Sequence, residues 1–273
     1  MNINSNRKYG WTILMALVSL IYLSPLFWVL STSFKAKNEF FTYPPVFIPE
    51  TINFSHYIHG LSLGGYQGII NSLIIATGAT VFSLVLSIPA AYSFAHHNVG
   101  GQNLSFWVLS IRMLPPVAVA LPIFLMYRNL GLLDSYLGMI LIHSIIDIPF
   151  AVWLLKGFFE GIPYSLIESA RVDGCNLYQA FYKIGLPLVA PGVATAALFC
   201  FIFSWNEFIF ALILTRKSVM PITVVLPNMI GGHEVLWAEI ASLALMASFP
   251  VVILAFLLQR HIVRGLTMGA LKQ

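Results

Sequence analysis

Charge is scarce in this sequence. Asp, Glu, Lys and Arg make up 9% of its 273 residues, where soluble domains carry about 25%. That shortage excludes an ordinary water-solvated surface. The charges are also clumped: none falls in 9–34, 51–111, 184–206 or 240–259. A helix crossing a bilayer needs about 20 apolar residues, so these gaps read as membrane spans rather than buried strands. Strict alternation is missing too. Runs such as LFCFIF and VVILAFLL lack the period of two that barrel strands need. The two cysteines, Cys175 and Cys200, show neither disulfide nor metal spacing. No internal repeat or low-complexity tract divides the chain.

What is present are six helical spans, placed at 11–33, 67–94, 104–127, 137–156, 188–214 and 239–260. The first is too long for a signal-peptide core and has no small-residue cleavage site before Lys35, so it reads as a retained helix. Six spans put both termini on one side. With that side cytoplasmic, the inner segments hold eight Lys and Arg residues against five outside, with Arg112 inside a span. The positive-inside rule then favours cytoplasmic termini. The same bias accounts for the net charge of +4 without any need for nucleic acid.

Two loops are long. Residues 34–66, outside, contain Tyr43-Pro44-Pro45, Pro49, Asn53 and Gly64-Gly65, which favours extended chain and turns. That loop reads either as a linker or as a docking surface for an extracytoplasmic partner. The other loop, inside, is YSLIESARVDGCNLYQAFYKIGLP at 164–187. Pro163 suits a first helical turn, and Leu166, Ile167 and Ala170 can share an apolar face. Gly174 offers positive φ after the helix. Asn176 can cap a second helix carrying Leu177, Ala180, Phe181 and Ile184, which Gly185 and Pro187 would end. Such a pair of helices could also simply lie on the membrane surface.

The spacing in this loop is specific. It reads Glu168-Ser169-Ala170, three residues, Gly174, nine residues, then Ile184-Gly185-Leu186-Pro187. It resembles the cytoplasmic loop signature of permease subunits in bacterial binding-protein-dependent ABC importers, with Ser169 where the signature has alanine. The C-terminal run Arg264 to Lys272 and the segment Ser204 to Phe208 followed by Ala211-Leu212 are similar to the carbohydrate branch, which includes the maltose permease. Gln273 stands where that tail usually ends in glycine. The resemblance implies an all-α membrane protein with the six-helix transmembrane domain of a type I ABC importer. Its parts would be 1–66 (tail, first helix, external loop), 67–260 (transmembrane domain with coupling helices at about 163–184) and 261–273 (cytoplasmic tail).

The resemblance also implies a bacterial inner-membrane location. The implied partners are a homologous permease, two ATPase subunits and a periplasmic or lipid-anchored solute-binding protein. Glu168, Ser169, Ala170, Arg171, Asp173 and Gly174 would couple to the ATPase, and Gly265, Thr267, Gly269 and Lys272 would touch the ATPase pair. The chain lacks G-x-x-x-x-G-K-[ST], the phosphate-cradling loop. It is therefore not read as an enzyme, has no catalytic or metal site, and binds no cofactor itself; ATP and Mg would sit on partner subunits.

Polar groups inside spans are costly and usually face a cavity or a partner. Arg112 and Asp147 lie at matched depths of roughly 12–14 Å, at 1.5 Å per residue. They read as a structural pair or as substrate contacts. Trp205-Asn206-Glu207, in the outer part of span five, offers a flat apolar face and polar atoms for a sugar, or else an interfacial anchor. His96-His97 reads as a solvated loop. Pro115-Pro116 and Pro122 interrupt span three, as a cavity wall or an ordinary kink. Alternatives left open are an ion-coupled transporter using Asp147 or Glu207, a permease for a non-sugar solute, and a membrane-embedded enzyme, for which no converging catalytic set is present.

Overall fold

The computed structural model describes the backbone of residues 5–97, 99–230 and 235–270, and the side chains of 9–97, 99–101, 103–230 and 235–259. No strand occurs among the described residues. Thirteen α-helices occur in chain order among the described residues: α1 (Ser5–Thr32), α2 (Ser55–Gly60), α3 (Tyr66–His96), α4 (Gly101–Ser110), α5 (Pro116–Asn129), α6 (Tyr136–Glu160), α7 (Tyr164–Val172), α8 (Leu177–Ala180), α9 (Leu186–Leu188), α10 (Ala190–Asn206), α11 (Ile209–Leu214), α12 (Ile222–Asn228) and α13 (Trp237–Ala270). Among the described residues, four helical stretches are long and apolar enough to cross a membrane, and two bent pairs bring the passes to six when each pair is one span.

Two spans differ from the sequence reading. The second does not: α3 begins at Tyr66, and the short α2 ahead of it is set off by a kink, where Leu63 (φ -76°, ψ 17°) and Gly64 (φ 101°, ψ -3°) leave helical geometry. Span three is broken: 103–113 and α5 meet at 89°. Proline explains the break. Pro115 and Pro116 remove backbone donors and push the preceding residue out of the helical region, and both Leu114 (ψ 123°) and Pro115 (ψ 124°) are extended. Span five starts at Ala190 after a 73° bend and ends at Asn206, with α11 a separate short helix.

Contacts divide the residues into two units. One comprises 1–66 and 226–249. In it α1 exposes apolar side chains all round, as a helix among lipid tails or a partner does. The chain after it is ordered rather than loose. The Glu39 carboxylate accepts from the backbone N–H of Ala36 (2.8 Å) and Glu50 (2.9 Å), and buried Lys35 places its ammonium 3.9 Å from the Trp28 ring. His56 and His59 set their Nδ1 atoms against one Glu239 oxygen, at 3.3 and 3.0 Å.

The second unit, 67–225 with 250–273, holds two apolar cores. Ile75, Met139, Ile142, Phe210 and Leu214 belong to one; Ala91, Leu155, Phe159, Ile167 and Ala196 belong to the other. Small residues let helices approach closely: Gly192 of α10 sits where a Cβ would meet the Phe158 ring of α6 at 2.5 Å. Polar side chains bond across helices. Ser144 Oγ donates to the Ala79 carbonyl (3.3 Å), and the Asn71 amide oxygen accepts from Tyr136 (2.6 Å) while its NH₂ reaches the Met220 carbonyl (2.9 Å).

Asp134 ties two loops together. It stands at φ 52°, and its carboxylate accepts four backbone N–H bonds, from Arg216, Lys217, Ser218 and Val219, at 3.0–3.3 Å. Burial alone would raise its pKa; the four donors outweigh burial and lower it to about 2. A depressed carboxyl contributes stability that is complete above its unfolded value of about 4 and is lost as pH falls through the folded value. Asp134→Ala should cost about 1–3 kcal/mol at neutral pH, read by denaturation of the detergent-solubilised protein. The difference from wild type should shrink as pH falls from about 4 toward about 2; a penalty independent of pH would contradict this.

Candidate functional site

The loop between α6 and α10 is a built object. Pro163, at ψ 125°, leads into α7. The helix ends in a Schellman arrangement: Cys175 N–H donates to the Ala170 carbonyl (2.9 Å) and Gly174 N–H to that of Arg171 (3.1 Å), with Gly174 at φ +90°. Asn176 and Gln179 then exchange reciprocal bonds of 2.9 and 3.0 Å, a capping box that starts α8. The second helix does not stop at Gly185. It continues through a π turn over Phe181–Gly185 into α9 and bends at Val189.

The inner face of α7 also differs from expectation. Ile167 and Ala170 are 1% and 4% exposed and pack into this chain's own core with Leu155, Phe159 and Phe181. Leu166 points away, 45% exposed, because one residue is 100° of helix rotation. The three do not share one face. What faces outward is Glu168, Ser169, Arg171, Val172, Asp173 and Gly174, with Ser169 Oγ donating back to the Ser165 carbonyl (2.8 Å). Arg171, Val172, Leu177 and Tyr178 help line an open concavity of ≈ 910 Å³. His96 is not a solvated loop residue: its ring contacts Tyr92 and Tyr164, at centroid distances of 5.0 and 5.7 Å. Gly265, Thr267 and Gly269 lie on the α13 backbone without described side chains, and Lys272 lies outside the described residues.

Inside the membrane, Arg112 and Asp147 do not form an ion pair. The Arg112 guanidinium lies over Phe203 (4.1 Å) and Phe150 (5.0 Å), a cation–π arrangement. The break at 113–116 places Arg112 on a turn rather than within a straight helix, which removes the register that matched it to Asp147. Trp205 is not an open sugar platform: it is 4% exposed and stacks on Phe201 at 5.5 Å. Asn206 Nδ2 donates to the Ile202 carbonyl (2.8 Å). Glu207 follows the end of α10, and its carboxylate accepts from the backbone N–H of Phe210 (3.0 Å) and Ala211 (3.1 Å), capping α11. The sequence reading missed His143, whose Nδ1 meets Ser204 Oγ at 2.6 Å and whose Nε2 lies 3.5 Å from Glu207. Its i, i+4 spacing from Asp147 in a charge-poor span was the available signal. No cluster suited to a metal occurs among the described residues.

Comparison with known proteins agrees with this architecture. Residues 83–268 match the family described as binding-protein-dependent transport system inner membrane component. The chain belongs to this family. It is 35% identical over 274 residues to the trehalose transport system permease protein SugB of Mycobacterium tuberculosis, covering 98% of this chain and 99% of that one. It is 31% identical over 261 residues to the trehalose/maltose transport system permease protein MalG of Thermococcus litoralis, covering 94% of each. Among solved structures it is similar to a chain of a bacterial ABC transporter involved in the import of the acidic polysaccharide alginate. There the TM-score is 0.79 and the identity 26%, over 95% of this chain and 98% of that one. The protein is thus an all-α, multi-pass ABC importer permease with the type I fold.

For this permease the Glu207 geometry assigns a structural task. Glu207→Ala removes a helix cap, worth about 1 kcal/mol, and the partner of His143. It should lower the thermal stability of the purified complex, with Glu207→Gln in between. Loss of transport at unchanged stability would instead mark Glu207 as a solute contact.

Proposed function

We propose that this permease carries a carbohydrate, delivered by a solute-binding protein, across the bacterial cytoplasmic membrane by alternating access, driven by ATP on partner ATPase subunits. The observation that carries the reading is the 164–188 segment. Its signature residues form a capped, charged, outward face while Ile167 and Ala170 anchor it in the chain's own core. Such a face has no use in lipid and fits a soluble protein. The similar proteins named for trehalose and for trehalose/maltose transport support a glycoside as solute.

In this reading ATP and Mg²⁺ sit on two ATPase subunits, a second permease completes the pore, and both termini are cytoplasmic. The ATPase contact is made by Glu168, Arg171, Val172 and their exposed neighbours, not by Ile167 and Ala170. The core beneath α7 joins the ends of α3 and α6 to the start of α10, so a force on α7 reaches three spans at once. The C-terminal tail is proposed as a second ATPase contact.

The test is reconstitution with the partner subunits and uptake of trehalose, maltose and diacetylchitobiose. Uptake should require ATP and survive ionophores; the chain alone should hydrolyse no ATP. Ionophore-sensitive uptake without ATP would establish ion coupling instead. Gly174 gives a sharper probe. A Cβ there meets nothing within 4 Å, so only its φ of +90° resists substitution. Gly174→Val should leave membrane insertion intact but lose ATPase retention and uptake. Gly174→Asn, a residue that tolerates positive φ, should keep much of both. Equal behaviour of the two variants would remove the turn from the mechanism.

A further inference from the structure

Among the described residues of the second unit, the buried side-chain atoms without a hydrogen-bond partner are Tyr92 Oη, His96 Nε2, His143 Nε2, Arg112 Nη1 and Asp147 Oδ2, and the last two belong to groups of opposite charge. Neither Arg112 Nη1 nor Asp147 Oδ2 has a hydrogen-bond partner, a costly condition that asks for an explanation. The two groups are within Coulombic reach of each other, yet the guanidinium rests on Phe203 and Phe150. Those rings belong to an aromatic patch. Phe150 lies 5.1 Å from Phe203, 5.5 Å from Phe199 and 6.3 Å from Trp153, and Trp153 is 54% exposed. Arg112 itself sits in the last turn before the 89° break, two residues ahead of extended Leu114. Glu207 is committed to capping α11 and to His143, so it does not compete for the guanidinium.

We propose that Phe150 and Phe203 form a sugar-stacking subsite that Arg112 covers when the permease is empty, and that a pyranose ring displaces the guanidinium onto Asp147. The proposal rests on the carbohydrate reading above and names the residues that would meet the solute. The exchange leaves no orphan: Nη1 donates to Oδ2, and the C–H face of the sugar replaces the cation on the rings. Solute class follows from the same balance. An anion would hold the guanidinium itself and leave Asp147 unpaired. A cation would be repelled by Arg112. A neutral pyranose takes the aromatic face and frees both charges for each other.

The experiment is a double-mutant cycle of Arg112→Ala and Asp147→Asn in the complete complex, with binding protein and a non-hydrolysable ATP analogue present. Unfolding is measured without sugar and with trehalose, maltose or diacetylchitobiose. Without sugar the two effects should couple only weakly, through space, because the charges do not touch. With a transported sugar they should couple by about tenfold in the unfolding equilibrium constant. Phe203→Leu should raise the KM for uptake about tenfold, the loss expected when an aromatic stacking contact is removed, and abolish the sugar-dependent coupling. Phe203→Tyr should restore both. Intact sugar uptake with coupling that ignores sugar, or an unchanged KM in Phe203→Leu, overturns this proposal alone. Failure of all three sugars to be taken up overturns the carbohydrate reading and the subsite with it.

Discussion

Lipid offers no hydrogen bonds, so each polar group within the membrane must find its partner in protein. Much of this structure follows from that constraint. Ser144 bonds the α3 backbone, and Asn71 gathers Tyr136 and the Met220 carbonyl. Where span five ends early, Glu207 supplies acceptors for the freed donors at the start of α11. Where span three breaks, prolines have already removed donors that would otherwise lack acceptors. Irregular backbone at membrane depth is tolerable under just these conditions.

The same constraint sorts the charges. Those in 168–173 stand exposed on a loop with its own caps, while the face beneath them is apolar and closed. A loop that only connected two spans would need neither the Schellman bonds after α7 nor the capping box before α8. This division, rigid on the chain side and charged on the outer side, suits a part that passes motion between a soluble motor and a membrane pore. In Arg112 and Asp147 the sorting is incomplete, and that marks the place where the solute is inferred to act.

The helical class, the six passes and the signature loop were legible in the sequence, because charge gaps, Gly174 and Asn176 are local signals with local physical causes. The apolar face of α7 was not. Counting Leu166, Ile167 and Ala170 as one face ignored which side of the helix the chain itself would cover. The Arg112–Asp147 pair assumed straight helices, and Pro115-Pro116 bends the one that carries Arg112. Trp205 looked like a platform because burial by Phe201, one turn away, does not show in composition. Asp134 gave no signal at all, since its partners are backbone groups more than eighty residues distant.

The central claim is that the outward face of α7 and α8 meets the ATPase. Val172, 87% exposed beside Arg171, reports on it directly. In a permease with Cys175 and Cys200 replaced, Val172→Cys should cross-link to an ATPase subunit once the complex is assembled, through a short maleimide–succinimidyl ester reagent that joins its thiol to a lysine amine of the ATPase. It should also be shielded there from a water-soluble maleimide. Full labelling of Val172→Cys in the assembled, transport-competent complex, with no cross-link formed, would contradict the account.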